Sequence, residues 1–274
     1  MNDEPVPILH EVPSAISPLI RRVVADNPGR MTGPGTNTYL VGIDEIAVID
    51  PGPADDAHLD VVESCGGGLI RWIFVTHTHP DHSPGVAGLA ERTGAEVVAF
   101  EARDGLEIDR SSTDGDVLST SEYRLRTVHT PGHASNHLCF LLEEERTLFS
   151  GDHIMDGSTV VIAPPDGDMA IYLESLAKVA ALRLRRIAPG HGFPIEDPKA
   201  RIRHYIDHRL AREGQILDAV RSGTDEIEAI VADLYAETDE ELHPVAAKSV
   251  HAHLLKLEVD GMVIADGDAW SVVA

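Results

Sequence analysis

Three imidazoles and a carboxylate fall within Thr76-His77-Thr78-His79-Pro80-Asp81-His82, directly after the apolar run Trp72-Ile73-Phe74-Val75. Imidazole and carboxylate are the ligands that zinc and its neighbours prefer. A strand that opens into a tight loop of such groups aims several of them at one point. The chain must therefore adopt a fold in which a buried strand ends at a metal site. Isolated histidines elsewhere, His10, His58 and His243 among them, read as surface residues in a chain that carries 15 histidines.

The surrounding pattern is α/β. Short β-rich runs at Leu19–Val24, Thr38–Val41, Ile46–Ile49 and Trp72–Val75 are separated by clusters such as Gly33-Pro34-Gly35 and Pro51-Gly52-Pro53. Helices are expected over Asp55–Glu63 and Pro84–Thr93, the second with Ser83 as N-cap. Further strands are expected at Glu96–Phe100, Tyr123–Val128, His137–Leu142, Thr147–Phe149 and Arg186–Ala188, with a helix over Met169–Leu182. Strands with interspersed helices in two successive halves fit two sheets packed face to face with helices outside. After Pro198 the pattern changes to three helices, Arg201–Ser222, Thr224–Tyr235 and Pro244–Leu257, then two short strands, Met262–Ile264 and Trp270–Val273. Three helices and a β-hairpin are the outline of a winged helix.

Three more candidate ligands repeat the design of the first loop. His133 in Thr130-Pro131-Gly132-His133, Asp152 in Phe149-Ser150-Gly151-Asp152 and His191 in Pro189-Gly190-His191-Gly192 each follow a predicted strand and a glycine. Glycine lets the backbone turn closely around a small ion. The set His77, His79, Asp81, His82, His133, Asp152 and His191 exceeds what one four- or five-coordinate ion can use. It calls for two ions, with the Asp152 carboxylate between them.

These motifs resemble those of the metallo-β-lactamase superfamily, in its dinuclear glyoxalase II-like branch. The resemblance covers residues 1–198 and implies an αββα sandwich. It implies that His77, His79 and His133 hold one ion, that Asp81, His82 and His191 hold the other, and that Asp152 bridges. Gly35-Thr36-Asn37-Thr38-Tyr39-Leu40, Val48-Ile49-Asp50-Pro51-Gly52 and His253-Leu254-Leu255-Lys256-Leu257 before Asp260-Gly261 are closer to the lactamase-β-2-like subfamily. That likeness implies a small winged-helix-like domain over 199–274, and a possible homodimer. Some members of the subfamily are single-strand-specific endoribonucleases.

Two divalent ions a few Å apart bring a shared water's pKa near neutrality, supply hydroxide at pH 7 and polarise a carbonyl or phosphoryl oxygen. Asp81 is expected both to bind the second ion and to orient that hydroxide; Asp81 and Asp152 are thus the candidate catalytic carboxylates. Asp50 and His137 stand where hydrogen bonds would fix ligand tautomers. Asp168 and Tyr172, at the start of a helix, are expected to line the substrate pocket. The histidine-rich set favours zinc, and iron or manganese fit the same ligands.

Charge narrows the substrate. The net charge of −24 works against polyanions and anionic membranes, which both present phosphate. The segment 201–274 has 15 acidic against 7 basic residues, whereas a DNA-reading module presents a basic face. The leading expectation is a hydrolase of a small thioester, ester or lactone. An endoribonuclease using a patch such as Arg183, Arg185 and Arg186 is the alternative, and a winged-helix DNA-binding regulator is the alternative from another class. β-Lactam hydrolysis ranks last, because the acidic start Met1-Asn2-Asp3-Glu4 does not read as a signal peptide. With no apolar run of membrane-spanning length, the expected location is the cytoplasm.

Overall fold

The computed structural model describes residues 8–273, so the acidic start Met1–Glu4 lies outside the described residues. Seven strands form the first sheet in chain order: β1 (Ser14–Ala15), β2 (Ile20–Val24), β3 (Asn37–Val41), β4 (Ile46–Ile49), β5 (Ile70–Phe74), β6 (Glu96–Ala99) and β7 (Arg110–Ser111). β1 to β4 pair antiparallel and β4 to β7 parallel. The crossovers between the parallel strands carry α1 (Asp56–Gly66) and α2 (Gly85–Thr93).

The second sheet comprises β8 (Val117–Ser119), β9 (Arg124–His129), β10 (Leu138–Leu142), β11 (Thr147–Gly151) and β12 (Arg186–Pro189). Its order is β12-β11-β10-β9-β8, antiparallel except for the β11–β12 pair. Tyr39, Ile49 and Phe74 of the first sheet pack with Leu125, Phe140 and Phe149 of the second in one buried cluster. The rings of Tyr39 and Phe149 lie 5.1 Å apart, and those of Phe74 and Phe140 5.0 Å. The opposite face of the first sheet buries Leu40, Val48 and Ile73 with Leu59 and Val62 of α1 and Val86 and Leu89 of α2. Alternate residues of each strand thus serve two cores, which is why these strands read as continuous apolar runs.

α3 (Met169–Ala180), α4 (Pro198–Arg221), α5 (Ile227–Leu234) and α6 (His243–Val259) follow, then the hairpin β13 (Val263–Asp266) and β14 (Ala269–Val272). Ile216, Ile230, Val250, Leu254 and Trp270 close a core of their own, giving the winged helix expected after Pro198. The described residues up to His129, with Asn136–Ser158 and Leu184–Pro198, form one compact unit. Thr130–Ser135, Thr159–Arg183 and the described residues from Lys199 onward form the other.

Expected and observed elements differ mainly at edges. β1, β7 and β8, two or three residues long, carry too little pattern to be read. Ser83 does not cap α2. The helix starts at Gly85, whose N–H donates to the Gly52 carbonyl (3.0 Å), while the Ser83 hydroxyl faces the Thr78 and His79 carbonyls at 3.2 and 3.4 Å. A tertiary acceptor satisfies the free helical donor there, so no side-chain cap is needed. Cys139 lies buried in β10, as its apolar setting predicts, and both Cys65 and Cys139 are free thiols. Among the described residues no helix is long and apolar enough to cross a membrane.

Candidate metal centre

Parallel pairing sets the chemistry at strand ends. β4 and β5 run parallel with Ile49 opposite Phe74, so the residues that follow them, Asp50 and Val75–His82, emerge side by side. β11 and β12 run parallel with Gly151 opposite Pro189, which does the same for Asp152 and His191. The Leu138 N–H donates to the Thr76 carbonyl (2.7 Å) and ties the loop after β5 to β10. Four separate stretches of sequence thus meet because the topology stacks their strand ends.

The ligating atoms fall into two groups, His77, His79, His133 and Asp152 in one and Asp81, His82 and His191 in the other; within each, all lie within 4.8 Å of one another. In the second, the His82 Nε2 is 3.4 Å from Asp81 Oδ2 and 3.3 Å from Asp152 Oδ1. The His191 Nε2 is 3.1 Å from Asp81 Oδ2 and 3.3 Å from Asp152 Oδ1. Both nitrogens are buried and make no hydrogen bond, so these are ion-pair distances without donor–acceptor geometry. Donors about 2.1 Å from one tetrahedral ion lie roughly 3.4 Å apart. The observed separations are those of co-ligands.

The other ring nitrogens fix the tautomers. His82 Nδ1 donates to Asp50 Oδ2 (2.9 Å), His133 Nδ1 to the Val161 carbonyl (2.7 Å) and His191 Nδ1 to the Gly35 carbonyl (3.2 Å). The Thr76 hydroxyl gives its proton to Asp50 Oδ2 (2.7 Å), so it accepts from His77 Nδ1 (3.0 Å). All four rings therefore turn Nε2 to the site. His79 differs, with Nδ1 2.9 Å from His77 Nε2. An oxygen acceptor behind each ring is the usual support of a metal-bound histidine.

Charges within the cluster hold one another. Burial opposes charge on His82, but Asp81, Asp152 and Asp50 outweigh it and raise its pKa well above the ordinary range. Burial also opposes the charge on His191, and Asp152 and Asp81 push its pKa up to about 9. Burial opposes ionisation of Asp152 and Asp81 in turn; the two imidazoles win and hold both carboxyls below their usual range. Positive charge between these carboxylates, whether proton or metal ion, stabilises the arrangement.

Two glycines make the approach possible. A Cβ on Gly190 would lie 2.8 Å from Asp152 Oδ1 and 2.8 Å from His82 Cε1. Gly151 has a left-handed φ of 46°, and its Cβ would meet Thr76 Oγ1 at 2.6 Å and His137 Nε2 at 2.9 Å.

A family model described as the metallo-beta-lactamase superfamily matches residues 31–191, and one for the beta-lactamase associated winged helix domain matches 227–270. The "Beta-lactamase-like protein 2 homolog" of Drosophila melanogaster is 37% identical over 262 residues, covering 88% of either chain. The chain belongs to the metallo-β-lactamase superfamily. Another relative, named an "Atrochrysone carboxyl ACP thioesterase", from Aspergillus fumigatus, is 34% identical over 79% of this chain and 69% of its own length. The crystal structure of a beta-lactamase domain protein from Burkholderia ambifaria superposes with a TM-score of 0.84 at 20% identity, covering 98% of this chain and 96% of that one.

As a member of this superfamily the chain is a hydrolase, and its two His/Asp groups fit a dinuclear metal site. The orphaned Nε2 atoms of His82 and His191, aimed at carboxylate oxygens, are the local sign of that fit. His137 is fully buried, and its Nε2 accepts from the Asp152 N–H (3.2 Å) and steadies that residue's backbone. Asp168 and Tyr172 have structural partners of their own. The Asp168 carboxylate caps α3 by accepting from the Ile171 N–H (3.0 Å). Tyr172 is fully buried, with Gly132 packed on its backbone and Arg209 over its ring at 5.5 Å.

Sequence reasoning missed Asn37 and His58. The Asn37 amide donates to the Pro189 (2.9 Å) and Gly192 (3.0 Å) carbonyls and so clamps the turn that carries His191. The only signal was its place in Gly35–Leu40, which names a family and not a role. His58, read as a surface histidine, is fully buried. Its spacing with Leu59 and Val62 on α1 was the available hint.

Proposed function

We propose that the chain hydrolyses a small acyl thioester or ester with two zinc ions in the site. The observation that carries this reading is the convergence of buried imidazoles and carboxylates at co-ligand distances. The thioesterase among its relatives gives the acyl class its weight. His77, His79 and His133 would hold one ion, Asp81, His82 and His191 the other, and Asp152 both. Such ions, when bound, activate water near neutral pH and polarise a carbonyl.

The chain's own contribution is orientation. Asp50, Thr76, Val161 and Gly35 engage the Nδ1 atoms of His82, His77, His133 and His191 and so turn Nε2 of each ring toward the site. Asp81, whose side chain is 24% exposed against 12% for Asp152, is the carboxylate open to a reacting molecule. Its role in this reading is to orient an attacking water. An RNA substrate is disfavoured by the net charge of −24. Arg186, one of three arginines available to meet phosphate, is already paired with Glu196 at 2.6 Å.

The test is a panel of acyl thioesters followed by thiol release, beside single-stranded RNA followed on gels, with Asp81→Ala as control. Thioester turnover lost in Asp81→Ala is expected. RNA cleavage lost in Asp81→Ala, with no ester turnover, would refute the acyl reading.

A further inference from the structure

Asp50, which aims His82, adopts a left-handed backbone with φ 50°. For a non-glycine residue that conformation is strained and persists only when its surroundings enforce it. The carboxylate gains three donors there: the Thr76 N–H (2.7 Å), the Thr76 hydroxyl (2.7 Å) and His82 Nδ1 (2.9 Å). On its other side the Asp50 carbonyl accepts from the Thr38 hydroxyl at 2.7 Å.

Proton accounting runs outward from that carbonyl. Thr38 has one hydroxyl proton, and a carbonyl can only accept, so Thr38 must accept from His58 Nε2, 2.9 Å away. His58 is fully buried on α1, and with Nε2 protonated its Nδ1 meets Glu11 Oε2 at 2.8 Å. Glu11 is itself left-handed (φ 55°), and its other carboxylate oxygen accepts from the Asp26 N–H at 3.0 Å. The chain of bonds thus runs between two strained corners. A second link is backbone: Gly52, against whose missing Cβ the His58 ring packs at 3.3 Å, donates its N–H to the His82 carbonyl (3.2 Å).

We propose that His58, held by Glu11, is a positioning residue of the metal centre: through Thr38 it pins the left-handed Asp50 corner, and through Asp50 it sets the tautomer and aim of His82. The proposal rests on the reading of the site as a metal centre. Neither His58 nor Glu11 touches a ligand, so their effect reaches the site only through Thr38, Asp50 and Gly52.

Cobalt(II) titration of the metal-free protein tests it, read by visible absorption and by competition with a chelator of known affinity. Wild type takes up two equivalents. His58→Leu and Thr38→Val weaken one equivalent about 10–100-fold, the usual effect of removing such support, and leave the other nearly unchanged. His58→Gln, whose amide N–H stands where Nε2–H stood, restores most of the lost affinity. Wild-type cobalt affinity and spectrum in His58→Leu would overturn the proposal, as would equal weakening of both equivalents in step with a lower Tm. Should His58→Leu fail to fold, Thr38→Val and His58→Gln decide by the same criteria. Wild type that binds no cobalt overturns the metal-centre reading itself.

Discussion

Replacing Asp50 with asparagine tests the tautomer argument directly. The native carboxylate accepts from the Thr76 N–H, the Thr76 hydroxyl and His82 Nδ1. An amide has one oxygen and one amino group, so one face must present N–H to a native donor. If the amino group faces Thr76 N, a buried backbone donor is stranded at a cost of about 1–3 kcal/mol. If it faces His82, the ring can shed its Nδ1 proton, but the proton then sits on Nε2, the atom that should bind metal. The second arrangement is the cheaper for the metal-free protein, and it moves the loss onto the metal. Removing such support weakens metal binding about 10–100-fold, equal to about 1.4–2.7 kcal/mol less stabilisation at saturating metal. Urea unfolding with chelator and with excess zinc measures that increment. Asp50→Asn should unfold within about 1 kcal/mol of wild type in chelator and show the shortfall in zinc. The same zinc increment in both proteins would refute the argument.

Three further outcomes follow from the same geometry. Gly190→Ala should lower metal content and cut turnover at least tenfold, because its Cβ would sit 2.8 Å from both Asp152 Oδ1 and His82 Cε1; elemental analysis and rate measurements check it. Leu254→Ala, at a fully buried position beside Trp270, should cost about 2–5 kcal/mol, read as a lower urea midpoint. Stability should also fall with acid. Burial, with Arg209 and Arg212 nearby, pushes the His208 pKa down to about 4, and burial lowers that of His253. The unfolded chain then binds protons that the folded chain refuses, so stability is full above the ordinary histidine value of 6.5 and declines as pH falls toward about 4. Urea midpoints across that range should show the slope, and His208→Gln should flatten it.

The members of the two His/Asp groups were legible because each announces itself within a few residues. HxHxDH after an apolar run, and Gly-His or Gly-Asp after a strand, are local patterns whose chemistry needs no partner to be recognised. The strands were legible for a related reason: β4, with its Ile-Ala-Val-Ile run, is buried on both faces and shows as continuous apolar sequence. Ser83 was misjudged because its competitor as cap, the Gly52 carbonyl, lies 33 residues upstream of Gly85, the residue whose N–H it accepts from. The burial of Tyr172 was not legible, because a position after the metal loop says nothing about burial.

The supporting layer was illegible for one physical reason, the span of chain between partners. Asn37 grips a carbonyl 152 residues away, Asp50 meets His82 across 32, and His58 meets Glu11 across 47. The residues around His58 hint at burial but not at its partners; only the fold delivers a carboxylate to one nitrogen and a hydroxyl to the other. Yet the direction of each bond follows from elementary accounting once the partners are known. A carbonyl only accepts and a threonine has one proton, so the donors from His58 through Thr38 to Asp50 have a single consistent direction. The same rule, applied behind His77, His82, His133 and His191, assigns a proton to each Nδ1 and turns each Nε2 toward the cluster. The aim of those rings is therefore set by atoms outside the two His/Asp groups.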